Sequence, residues 1–259
     1  MNNDHTISPP AEPDKTSGTP KFSAEKTIKK IRAAGLNNPE VEESLYKAEN
    51  NYNDAYRKYG YKFPVIALPN DEEKKQMKEK VLRDYGKGES FKNKDYSGID
   101  LSGLDLRGID FREAFLEGAN FSNTDLRGAD FTRCVLVRTN FTKAFLPSAK
   151  MIEACLGQAV MIQVDLKQAD LSKAVLVQAD LSEANLADAI LDDADCSNAS
   201  FVEAQMQRVS AKRVRFLESD LSKANLAEAK ASDSMFVRAI IEGADFTGID
   251  IEAAISPAP

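Results

Sequence analysis

The residues best placed for chemistry are carboxylates recurring at intervals of five: Asp105, Asp110, Asp125, Asp130, Asp165, Asp170, Asp180, Asp195, Asp220 and Asp245. Paired carboxylates can exchange protons with a substrate or hold a cation. These, however, return at one fixed place in a repeating unit, as residues serving the backbone's own turns do. The D-x-D-x-D-G spacing of a calcium loop is missing. Nucleophilic chemistry fares no better. The only histidine is His5, in the leading tail, so a Ser or Cys nucleophile has no imidazole base in the rest of the chain. There is no glycine-rich phosphate loop and no G-x-S-x-G elbow. Cys134, Cys155 and Cys196 have no C-x-x-C spacing, which suggests reduced thiols in a cytoplasmic setting. The expectation is a non-enzymatic protein without cofactor or metal. An enzyme site confined to residues 23–90 would be the exception, and no nucleophile–base pair is visible there.

The element that positions the aspartates runs from about Phe91 to about residue 255, and its period is five. Leu101, Leu106, Phe111, Leu116, Phe121, Leu126, Phe131 and Leu136 begin a series of apolar centres. The series continues without insertion or deletion through Ala211, Phe216, Leu221 and Phe236 to Ile251. Two positions before a centre stands a small residue, such as Ala119, Ala129, Ala169 or Ala184; one position before stands Asp or Asn. Five is neither the strand period of two nor the helical period of 3.6. An α-helix with this pattern would spiral its apolar stripe around the cylinder. A chain that turns a corner after each unit buries every centre. Four corners bring it back one coil higher, at a strand spacing of about 4.8 Å.

Ala119-Asn120-Phe121, Ala129-Asp130-Phe131, Ala169-Asp170-Leu171, Ala179-Asp180-Leu181 and Ala224-Asn225-Leu226 carry a resemblance to the pentapeptide-repeat family, whose unit reads A-(D/N)-L-x-x. The resemblance implies a mainly β fold: a right-handed quadrilateral β-helix of about eight coils, with the centre and the small residue pointing inward. It also implies two functional classes. One is a scaffold or adaptor for protein–protein interaction, of the kind similar arrays behind helices supply in bacterial type VI secretion and effector handling. The other is an acidic rod that mimics DNA and binds gyrase or a related topoisomerase. Acids outnumber bases over the repeats, but Arg107, Arg127, Arg133, Arg138, Arg213 and Arg215 interrupt the acidic surface.

Residues twenty apart share a face, so the outside of the rod is readable. Three faces carry Asp or Asn before most centres. The fourth departs: before the centre it has Phe115, Val135, Cys155, Val175 and Met235 besides Asp95, Asp195 and Arg215, and after it Val137, Val177, Leu217 and Val237 besides Ser97, Glu117, Gly157 and Ser197. Phe115, Val135, Val137, Val175 and Val177 form an apolar ladder, which Leu217, Met235 and Val237 continue above a polar break. Monomers rarely leave such a patch bare. Two readings stay open: the ladder binds a partner protein or a second copy, or the N-terminal helices fold back over it.

Outside the repeats, residues 1–22 are rich in Pro, Ser, Thr and charge and read as a disordered tail. Residues 23–69 read as a helical hairpin and connector. Ser23 caps a first helix that Gly35 stops. Asn38-Pro39 starts a second, whose stripe is Val41, Leu45, Ala48, Tyr52, Ala55 and Tyr56 and whose stop is Gly60. Phe63 to Pro69 is an extended connector bounded by prolines. Residues 70–90 read as a capping helix, Asp71 to Tyr85, using Met77, Val81, Leu82 and Tyr85 to close the first coil. Residues 256–259 form a C-terminal tail. Ile240, Ile241, Ile249 and Ile255 make the last coil a candidate homodimer contact.

The chain has 259 residues and a formal charge of −7. Its pI near 5.0 points away from broad binding to nucleic acid or anionic membrane. No run of eighteen apolar residues spans a bilayer, and the N-terminus has no apolar export core.

Overall fold

A computed structural model describes residues 23–253. The tails expected at 1–22 and 256–259, and Ile255, lie outside the described residues. Three α-helices precede the repeats: α1 (Ala24–Ala33), α2 (Pro39–Tyr59) and α3 (Asp71–Tyr85). A 3-10 turn (Gly60–Lys62) continues α2.

The helix starts follow from their caps. The Ser23 side chain accepts the Lys26 N–H, and Asn38 accepts those of Glu40 and Val41. Asn70 and Glu73 form a reciprocal capping box. The stops are less uniform. Gly35 takes φ +80°, the left-handed end expected of a helix-stopping glycine. Gly60 instead stays right-handed, at φ −51°, and leads into the 3-10 turn. The α2 stripe expected from 3.6-residue counting is also corrected. Tyr56 is buried and Leu45 and Tyr52 are partly so, whereas Val41, Ala48 and Ala55 face solvent. The covered side of α2 instead includes Glu42 and Glu49. Glu42 pairs there with Arg32 of α1 through two hydrogen bonds of 2.7 and 2.6 Å.

From Asp95 onward the chain winds as a square coil. Every bridge is parallel and joins residues twenty apart, from Asp95–Phe115 to Lys230–Asp250. The bridges are one residue long because the chain turns after each. The turn is closed by the N–H of the small residue, as in Ala114 N to Phe111 O at 2.9 Å. Its third residue lies at positive φ, as a type II turn requires. Many such residues are not glycine: Glu113, Arg133, Lys143, Gln163 and Glu183 among them lie at 56–61°. Each costs on the order of 1 kcal/mol, offset by the backbone hydrogen bonds its unit makes to neighbouring coils, among them a pair at the residue before the centre. In one such pair Leu101 donates to Asn120 O and Asn120 donates to Ile99 O, both at 2.8 Å.

The centres and the small residues fill the interior. Leu101 through Leu226 are fully buried, with Phe111 stacked on Phe131 and Phe121 on Phe141 across successive coils. At the first coil, Val81 of α3 is fully buried in the same cluster as Phe91 and Tyr96, with Met77 and Tyr85 against it. Leu82, expected to join them, is 39% exposed, because the helix turns that side outward. Burial pushes the Tyr96 phenol up to about 12. At the far end Ile240 and Ile251 are each 53% exposed.

Candidate interaction site on the apolar flank

Three faces of the rod are built as the aspartate pattern suggests. The carboxylate or amide before a centre accepts the N–H of the residue after it: Ser102 to Asp100, Thr132 to Asp130, Ser172 to Asp170 and Ser222 to Asp220, all at 2.9–3.0 Å. Arginines reinforce several of them. Arg127 and Arg112 fork onto Asp125 and Asp110 and hold those carboxyls below the usual carboxylate range. The aspartates are thus structural groups with partners. Among the described residues no cluster of His, Cys, Asp and Glu is arranged to hold a metal ion.

The fourth face is divided. Phe115, Val135, Val137 and Cys155 are buried under the chain's own N-terminal segment, in one cluster with Tyr56, Tyr61 and Phe63. For these positions the fold-back reading describes the structure. Phe115, Val135 and Val137, considered above as partner-binding residues, are covered from within, because the end of α2 lies across them. The Tyr56 ring lies 6.3 Å from Phe115 and 5.1 Å from Phe63. Arg57 stacks over Phe115 at 5.2 Å.

Glycines shape the contact. A Cβ on Gly60 would meet Val137 at 3.0 Å and Val135 at 3.6 Å. One on Gly157 would lie 2.4 Å from the Tyr61 Cβ, an impossible approach. Polar groups frame it. The carboxyl of Glu117, 1% exposed, accepts from the Tyr56 hydroxyl and, at 2.6 Å, from Arg138. Arg138 also donates to the Phe63 carbonyl at 3.0 Å. Arg57 reaches Asn93 at 2.8 Å and the Glu113 carbonyl at 3.2 Å, and Arg133 reaches Asp54 at 2.9 Å. Burial, and then the hydrogen bond to Glu117, push the Tyr56 phenol far above its ordinary value. Burial likewise raises the Cys155 thiol.

Above this contact the ladder continues uncovered. Val175 packs against the edge of the cluster and is half-buried, as are Val177, Leu217 and Val237; Met235 is 38% exposed. A cleft of about 320 Å³ marks the boundary, lined by Asp54, Arg57 and Lys58 of α2 and by Arg133, Glu153, Lys173 and Val175 of the rod. Charged pairs edge the upper part: Arg213–Asp193 at 2.6 Å and Arg238–Glu218 at 3.1 Å. Exposed apolar residues elsewhere on the rod, Phe145, Val160 and Ile190, are spread over three other faces.

Sequence reasoning found the ladder but not the part that Glu117, Arg138, Gly157 and Tyr61 play in its contact with the N-terminal segment. Gly157 did leave a trace. It stands where other rungs of this face have Val137, Val177 or Leu217, and it does not take a left-handed φ. A glycine its turn does not require points to something pressing on it.

Comparison with known proteins bears on the rod. No protein of curated function matches the chain. Among solved structures, HetL, a pentapeptide repeat protein involved in heterocyst differentiation regulation in the cyanobacterium Nostoc, is 23% identical. That alignment covers 68% of this chain and 92% of HetL, with a TM-score of 0.45. The pentapeptide repeat protein Rfr23 from the cyanobacterium Cyanothece is 27% identical over 36% of this chain and 63% of its own, with a TM-score of 0.35. QnrB1, a plasmid-mediated fluoroquinolone resistance protein, is 17% identical over 63% of this chain and 86% of its own, with a TM-score of 0.36. The profile described as Pentapeptide repeats matches in 8 copies, over residues 99–136, 119–158, 149–186, 179–216 and 215–252. With its square coil, its buried centres and that unbroken match, the chain belongs to the pentapeptide-repeat family.

Proposed function

We propose that the protein is a non-enzymatic interaction scaffold whose partner surface is the uncovered upper part of the apolar flank: Val175, Val177, Leu217, Met235 and Val237. The observation that carries this is the contrast along one face. Where the ladder meets α2 it is sealed, and beyond α2 the same column of apolar side chains stays open to solvent. Two apolar stretches, Val175–Val177 and Leu217–Met235–Val237, separated by the Asp195–Arg215 rung and rimmed by charged pairs, suit a protein partner. A rod of about eight coils at a strand spacing of about 4.8 Å is some 40 Å long and presents them on a rigid support.

The test is affinity capture with the full chain beside Leu217→Glu/Val237→Glu, with Lys150→Glu on another face as control. A partner held by wild type and by Lys150→Glu, and lost by the double variant at unchanged thermal stability, supports the proposal. Equal capture by all three overturns it. A role in type VI secretion has no observation on this chain behind it and is not part of the proposal. The second reading, mimicry of duplex DNA toward gyrase, rests on the excess of acids over the repeats. Forked arginine–aspartate pairs neutralise part of that surface, at Asp105, Asp110 and Asp125. A supercoiling assay with no inhibition at tens of micromolar would remove it.

A further inference from the structure

The sealed lower part of the flank is a seat cut for one particular segment. Gly157 is bare where only the Tyr61 side chain needs the room, since its own φ does not call for glycine. Gly60 is bare where Val137 and Val135 press on it. Glu117 accepts from Arg138 of the rod at 2.6 Å as well as from the Tyr56 hydroxyl, so its carboxylate has a partner within the rod itself. The segment that fills it is tied to the rod by the connector between Phe63 and Asn70. Two prolines keep the connector extended, and its residue Val65 is 70% exposed. Further on, Leu68 is fixed against Gly98 and Gly118. Between Phe63 and Leu68 the tether is therefore only Pro64 to Ala67, with Val65 and Ala67 exposed and Ile66 half-buried.

We infer that the seat also accepts the helix end of a second copy, so that two chains pair by exchanging their hairpins. Every chain carries both the seat and the segment. Exchange therefore keeps each contact made within one chain, and the tether and the concentration decide which form prevails. The seat commits to this occupant because its glycine cut-outs and the Tyr56–Glu117 hydrogen bond fit the residue 56–63 segment itself. The inference concerns the covered half of the flank, so its failure leaves the proposal for the uncovered half standing.

Three cysteines supply the readout. Cys155 lies under the hairpin, whereas Cys134 and Cys196 are inside the rod. Removing Val65, Ile66 and Ala67 from the full chain shortens the tether by about 10 Å. The expected result at tens to hundreds of micromolar is a dimer by light scattering, with Cys155 as protected from thiol reagent as in wild type. A monomer, with Cys155 either protected or reactive, overturns the inference. So does a dimer in which Cys155 reacts, since that pairs through another surface. Should Cys134 and Cys196 also react, the rod has opened and a second variant decides. Gly60→Cys/Val137→Ala, at full length, places a thiol beside Cys155. Isotopically heavy and light chains are mixed, unfolded, refolded concentrated and oxidised. Heavy–light peptides joined through positions 60 and 155, increasing with concentration, support exchange. Same-chain links alone at every concentration refute it.

Discussion

The two halves of the fourth face have the same backbone, the same inward centres and the same register, yet opposite surroundings. Val135 and Val137 are fully buried; five coils further along the same columns Met235 is exposed and Val237 half-buried. Nothing in the repeat distinguishes them. The difference is made by eight residues outside the repeat, Tyr56 to Phe63, which cover the lower half and stop short of the upper. In a solenoid the repeat fixes where a side chain points, and non-repeat segments decide what it meets.

The sharpest way to break this comparison is to place the same charge in both halves. Val135→Asp would bury a carboxylate beneath the hairpin, and it should cost about 3–5 kcal/mol if the hairpin stays docked. The expected outcome is that the hairpin leaves, seen as rapid labelling of Cys155 while Cys134 and Cys196 stay protected. Met235→Asp, at an exposed site, should move stability by no more than about 0.5 kcal/mol. Equal effects from the two changes would mean that the halves do not differ as described.

A smaller effect is expected from one methyl group. Gly157→Ala drives a Cβ into Tyr61 and should cost about 1–3 kcal/mol of docking, a rise of about 5- to 150-fold in Cys155 labelling. Gly128→Ala, where a Cβ meets nothing within 4 Å, should leave that labelling unchanged. Its positive φ adds only local strain.

Alkali should separate the halves without mutation. The Tyr56 phenol is raised in the folded state, so its contribution is fully present below the unfolded tyrosine value of about 10 and is lost as pH rises beyond it. Hydrogen exchange between pH 8 and 11 should show α2 losing protection before the coils do. In Tyr56→Phe, which lacks that phenol, the early loss should shrink to what the buried Cys155 thiol, also raised, contributes. Acid acts on the other faces. The carboxyls of Asp110 and Asp125 are lowered chiefly by hydrogen bonds from Arg112 and Arg127. What they contribute is present above about pH 4 and lost as pH falls through their folded values. The smallest effect belongs to the exposed pairs between coils. Asp188→Asn, which uncouples Arg208 at 2.7 Å, should leave the midpoint of a denaturant titration nearly unchanged.

Much of this was legible beforehand, for a physical reason. The period of five is a property of neighbours in sequence, as are the caps at Ser23, Asn38 and Asn70, so counting recovered the coil and the helix starts. The apolar ladder needed only the further step of placing residues twenty apart on one face. What escaped were contacts between segments whose separation follows no period: Tyr56 with Glu117, Tyr61 with Gly157, Phe63 with Arg138. The α2 stripe failed for a related cause. Val41, Ala48 and Ala55 are apolar enough to be counted, but they face solvent, while Glu42, paired with Arg32 of α1, lies on the covered side, and no residue of α2 by itself shows which side α1 will meet.

The corner after every fifth residue also limits how such a molecule can change in length. Gaining or losing a single unit would rotate everything beyond it by a quarter turn, carrying Leu217 and Val237 around to a neighbouring side, away from the column that α2 occupies. Gain or loss of four units together would keep the column straight and alter only its height. The distance between hairpin and open strip can therefore be reset only in steps of a whole circuit, about 5 Å each, which makes the protein a graduated spacer with coarse, evenly ruled settings.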